Sequence, residues 1–170
     1  MNKKTRNLTL SALFTALAVI SLYIASVWPT GLFALVATAS LFGAATVIEA
    51  GILSGVYVYV AASVLGMILL PDKDAPLIYI LFFGYYPVVK SLIERLKSKI
   101  LQWVLKLLVF NASLTVILFL FKSLILDVGE NTPPHILIYL GGSAVYALFD
   151  YGFTKLIWLY INRVSKYIKS

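Results

Sequence analysis

Apolar residues in this chain run in long uninterrupted blocks instead of alternating with polar ones. The first block, Leu8 to Val27, carries no charge and follows the basic start Lys3, Lys4, Arg6. A run of ~20 apolar residues is what an α-helix needs to cross a ~30 Å hydrocarbon layer, so the spacing predicts a first transmembrane helix. The turn Trp28-Pro-Thr-Gly31 pairs an interfacial aromatic with two helix breakers, and a second span, Leu32 to Ile48, begins directly after it. Glu49-Ala-Gly51 then interrupts an apolar stretch that is too long for one crossing, which predicts a tight reversal and a third span from Ile52 to Leu70. Pro71 to Pro76 is the clearest loop, with Asp74 placed to cap the next helix and Pro76 to sit in its first turn. Span four follows as Leu77 to Ile93. The basic segment Glu94 to Lys99 separates it from span five, Ile100 to Leu126, which is long and predicted to tilt. A polar loop from Asp127 to His135 lets Thr132 cap and Pro133-Pro134 start the last span, Ile136 to Ile161. The expected fold is all-α, a single domain over residues 1–170 built as an integral membrane bundle of six helices.

Composition strengthens this reading. With 61% hydrophobic and 12% charged residues and a mean hydropathy of +0.95, the chain has more apolar surface than a water-soluble core can bury, so lipid is its main solvent. The start also has the form of a signal peptide, but the nearest small-x-small pattern, Ala37-Thr-Ala39, lies inside the second apolar run, which favours an uncleaved first span. The net charge of +7 needs no nucleic-acid partner, because its distribution orients the chain in the membrane. Lys3, Lys4, Arg6, Lys90, Arg95, Lys97, Lys99, Arg163, Lys166 and Lys169 fall on the side of the N-terminus, against Lys73 alone on the other. By the positive-inside rule both termini are expected in the cytoplasm.

Three spans carry polar positions on one helical face. Span four has Tyr79, Phe83, Tyr86 and Lys90; span five has Asn111, Thr115, Leu118 and Lys122; span six has Tyr139, Ser143, Tyr146 and Asp150. Polar groups in hydrocarbon are costly unless they face a bundle interior or a wet cavity, so the three faces are expected to converge on a binding site. For Tyr79 and Tyr139, ordinary aromatic packing or an interfacial belt is the simpler reading. Lys106 and Lys155 are expected to snorkel to water. Counted at ~1.5 Å per residue from Leu77 and from Ile136, Lys90 and Asp150 both lie roughly 20 Å deep, which predicts an ion pair at the floor of the site with Asn111 beside it. Tyr86, Tyr146 and Thr115 would then contact a ligand, Phe83 would pack on its ring, and Lys122 would hold an anionic group near the mouth. Trp28, Pro29 and Gly31 form the candidate gate.

No paired carboxylates or His-x-x-x-His pattern supports catalysis, so the chain is not expected to be an enzyme. No Gly-x-x-x-x-Gly-Lys-Ser/Thr loop is present to cradle phosphates. Zero Cys and the single His135 argue against a metal cluster, and no cofactor is expected.

Span one contains Ala12-Leu-Phe-Thr-Ala16, two small residues four apart with Ser11 and Thr15 on the neighbouring ridge, which lets another helix approach closely. Either a partner protein or a helix of this chain can use that ridge. Together with Leu81-Phe-Phe-Gly-Tyr-Tyr-Pro-Val-Val-Lys-Ser-Leu-Ile-Glu94 and the six-span plan, it resembles the substrate-binding S components of energy-coupling factor (ECF) transporters, the vitamin-uptake class of ABC importers. The resemblance implies a subunit of the bacterial plasma membrane that captures a vitamin or related small nutrient from outside. It also implies a transmembrane coupling subunit, met by Ala12 and Ala16, and two cytoplasmic ATPases. Nickel and cobalt members of that class begin Met-His, whereas this chain begins Met1-Asn2, so a metal substrate is not implied. The alternative is a membrane scaffold resembling the MreD family of cell-shape proteins, although a scaffold has no need of polar stripes inside its spans.

Overall fold

In the membrane interior every backbone N–H and C=O must find its partner within the protein, which for uninterrupted apolar runs leaves the helix as the solution. The computed structural model of the chain, in which residues 2–120 and 135–165 are described, consists of helices and short connections, with no strand among those residues. The elements are α1 (Lys3–Val27), a 3₁₀ turn (Pro29–Gly31), α2 (Leu32–Ala50), α3 (Ile52–Leu69), α4 (Asp74–Ile78), a π-helical turn (Tyr79–Phe83), α5 (Tyr86–Ile93), α6 (Lys99–Leu120) and α7 (His135–Arg163). Among the described residues six stretches are long and apolar enough to cross a membrane: Lys4–Val27, Leu32–Ala50, Ile52–Leu69, Asp74–Ile93, Lys99–Phe119 and Ile136–Arg163. The end of the expected fifth span, Thr132, Pro133, Pro134 and Lys122 lie outside the described residues.

The chain forms two compact units, Met1–Arg95 with Leu156–Ser170, and Leu96–Lys155. In the first unit, Ala18, Leu22 and Ala25 share one face of α1 and pack with Val36 and Ala39 of α2, Ala62 of α3, and Leu70, Ala75 and Tyr79. Small side chains on these faces let the helices approach closely, which is how membrane helices gain packing energy. Ser21 Oγ donates to the Leu35 carbonyl at 3.0 Å, and Asn7 Nδ2 donates to the Ala50 carbonyl at 3.4 Å, pinning the two ends of the α1–α2 hairpin. The predicted reversal after Glu49 is present: Gly51 joins α2 to α3 at φ +95°, a conformation that costs a residue with a Cβ. Lys73 Nζ donates to the Met67 and Leu70 carbonyls at 2.9 and 2.6 Å and so satisfies the end of α3. Asp74 does not cap α4 as expected. It is the first helical residue, and its N–H donates to Asp72 Oδ1 at 3.4 Å.

Span four departs most from the expected regular helix. The Gly84 N–H donates to the Tyr79 carbonyl, five residues back, at 2.6 Å, which makes the π turn and takes the Ile80 carbonyl's usual partner. Pro87 has no N–H, so the Phe83 carbonyl also loses its partner. Neighbouring helices supply both. The Tyr59 hydroxyl on α3 donates to the Ile80 carbonyl at 3.1 Å, and the Ser40 hydroxyl on α2 donates to the Phe83 carbonyl at 2.6 Å. A Cβ on Gly84 would stand 2.6 Å from both the Tyr59 and Tyr79 rings, so only glycine admits this aromatic packing.

Candidate functional site

Within the second unit, α6 and the first part of α7 run antiparallel, and their polar positions meet rung by rung. Lys106 Nζ stands 3.0 Å from Asp150 Oδ2, with the two side chains 7% and 4% exposed. Phe110 and Tyr146 stack one step along, ring centroids 4.6 Å apart and planes 16° from parallel. Asn111 Nδ2 donates to Ser143 Oγ at 3.4 Å and to the Leu107 carbonyl at 2.8 Å. Thr115 Oγ1 lies 2.9 Å from the Tyr139 hydroxyl and 2.8 Å from the Asn111 carbonyl; when the threonine proton goes to the carbonyl, Tyr139 is the donor in the other bond. The α7 contributors are three and four apart, and on α6 Lys106, Phe110, Asn111 and Thr115 fall on one side of the helix, as a 3.6-residue period requires. The site residues Asn111, Thr115, Tyr146 and Asp150 are therefore brought together on one seam. Tyr146 and Asp150 are buried, and Thr115 is exposed.

Lys106 does not snorkel to water. It is 6% exposed and bound to Asp150, because a cation this far from water is stabilised by a carboxylate at hydrogen-bond distance. Its ammonium also lies 5.8 Å from the Trp103 ring centroid. Lys155 is exposed, its Nζ 5.5 Å from the Tyr151 ring centroid.

In the first unit, Tyr86 and Lys90 are buried at 1% and 2% exposure, and Phe83 is half-buried. Lys90 Nζ pairs with Glu94 Oε1 at 2.8 Å and lies 5.9 Å from the Tyr86 ring centroid. Lys90 belongs to the first unit, and Asp150, of the expected pair, to the second. Phe82, which sequence reading passed over, is 6% exposed and packs on Tyr86 with centroids 5.2 Å apart. Tyr79 is wholly buried in the core instead of lying in an interfacial belt. Trp28 caps the end of α1 and is 64% exposed; the Gly31 N–H donates to its carbonyl at 3.2 Å, closing the turn that includes Pro29.

On α1, Ser11, Phe14 and Ala18 are buried, whereas Ala12 and Ala16 are exposed, so the small ridge faces away from the helices of its own unit. Among the described residues no three His, Cys, Asp or Glu side chains gather to hold a metal ion. The seam offers hydrogen-bonding edges, aromatic faces and one buried ion pair, chemistry suited to recognition of a small polar molecule. No family model, no curated protein and no solved structure matches the chain.

Proposed function

We propose that the chain is the substrate-binding membrane subunit of an ECF-type importer, sitting in the bacterial plasma membrane with both termini in the cytoplasm. It captures a small nutrient from outside and delivers it with a transmembrane coupling subunit and two cytoplasmic ATPases. The observation that carries this reading is the outward-facing ridge: Ala12 and Ala16 are exposed on a helix whose opposite face is packed. A ridge used for internal packing would be covered, whereas one that receives a partner helix has to be open. The polar rungs supply the second half of the argument, since polar groups held within apolar helices mark ligand paths. Asn111, Thr115, Tyr146 and Asp150, which share the α6–α7 seam, are the residues assigned to ligand binding.

The test separates assembly from binding. Replacing Ala12 and Ala16 together with Leu adds bulk on an exposed face, so the isolated subunit should fold and bind its ligand as before while uptake by the assembled importer is lost. Equal loss of binding and uptake would place the ridge in internal packing and remove this support.

A further inference from the structure

At the end of the first unit where α1 begins, α2 ends and α7 finishes, three polar side chains gather that the transport reading does not use. Glu49, the penultimate residue of α2, has a side chain with 0% exposure, yet neither carboxylate oxygen has a hydrogen-bond partner among the described residues. Among the described residues Arg6 of α1 is the cation paired with it, its Nη2 3.9 Å from Glu49 Oε2, too far for a hydrogen bond. The Nε of Arg6 is itself buried without a partner, as is the hydroxyl of Tyr160 on α7, which lies within electrostatic reach of the Glu49 carboxylate. Asn7, beside Arg6, is already committed to the Ala50 carbonyl and cannot turn its amide fully to the carboxylate.

The four unmet atoms define what would satisfy them. The two carboxylate oxygens only accept, Arg6 Nε only donates, and the Tyr160 hydroxyl donates once and accepts. A bare cation would serve the carboxylate but repel the guanidinium, and an anion would do the reverse. The matching ligand is small, uncharged and both donor and acceptor, which is water. Polar groups separated by more than ~3.5 Å are commonly joined in this way, and a buried water typically makes about three hydrogen bonds. Arg6 is 39% exposed along its side chain, so the site is open on one side and has a route for exchange.

We propose that Arg6, Glu49 and Tyr160 enclose a water-binding site, in which bridging water clasps the start of α1 and the end of α7 to the α2–α3 turn. The clasp operates whether or not the chain carries a nutrient, so it stands apart from the transport reading.

Water-edited solid-state NMR of the full chain in proteoliposomes tests this with water itself as the probe. Magnetisation from water should reach the Glu49 carboxyl carbon as quickly as those of the exposed Asp72 and Asp74. A build-up as slow as that of the core residue Ala39 would show a dry site and overturn the proposal. Tyr160→Phe removes one hydroxyl and leaves the ring, so resonances elsewhere should hold their positions while transfer to Glu49 slows at least twofold. Unchanged transfer in that variant would take Tyr160 out of the site and the clasp with it.

Discussion

Asp150→Asn should unfold this protein more easily than almost any other single change of similar size. In the native chain the carboxylate lies 3.0 Å from Lys106 Nζ, and the two side chains are 7% and 4% exposed. Removing one member of such a buried pair takes from the other its opposite charge at 3.0 Å, at a cost of about 3–5 kcal/mol. The Trp103 ring stands 5.8 Å from the ammonium with the carboxylate in place, so it does not offset that cost. The expected loss is therefore about 3 kcal/mol or more, at least roughly a hundredfold in the folded-to-unfolded ratio. Lys106→Met should cost a similar amount, and Lys106→Met with Asp150→Leu should recover most of the loss, because well-packed apolar side chains replace a buried ion pair at little cost. Reversible unfolding in mixed micelles, followed by circular dichroism, gives the four corners of the cycle. Single losses that add strictly in the double variant would show that the two residues are not energetically coupled and would refute the argument.

The topology and the distorted fourth span make further predictions. Cysteines introduced at Lys4 and Lys97 should be shielded from an impermeant external thiol reagent, whereas one at Lys73 should react; external labelling at Lys97 would overturn the six-span orientation. Ser40→Ala removes the donor to the Phe83 carbonyl and should cost about 1–3 kcal/mol, the penalty for a buried unsatisfied acceptor. Adding Pro87→Ala should return part of that loss by restoring a backbone N–H where the carbonyl can reach it; a double variant no more stable than the single one would show that proline is not the reason Ser40 is needed.

The six spans were legible because long apolar runs have one structural solution in lipid, and the reversal was legible because Glu49-Ala-Gly51 is the sole break in its run. Span four looked equally plain, yet it holds the π turn. Its signal was present in Pro87, whose missing N–H strands a carbonyl four residues back, but the donors that accept this distortion, Ser40 and Tyr59, sit on other helices and share no local pattern with it. The polar faces of α6 and α7 were read from periodicity, which places residues on a face but does not set the register between two helices. Once Asn111 meets Ser143 and Thr115 meets Tyr139, Lys106 falls opposite Asp150. Taken alone, a lysine inside an apolar run reads as a snorkelling side chain. Glu49 likewise read as an interfacial charge at a turn, because nothing in the sequence reveals that α7 returns Tyr160 to it.

Native mass spectrometry of the full chain released from micelles shows whether it carries a ligand, because a capture subunit should leave the membrane with its cargo. A small organic molecule should be bound one to a chain, retained by Ala12→Leu with Ala16→Leu and lost or weakened in Tyr146→Ala. A chain that emerges bare, or one whose bound molecule is indifferent to Tyr146→Ala, would contradict the capture role.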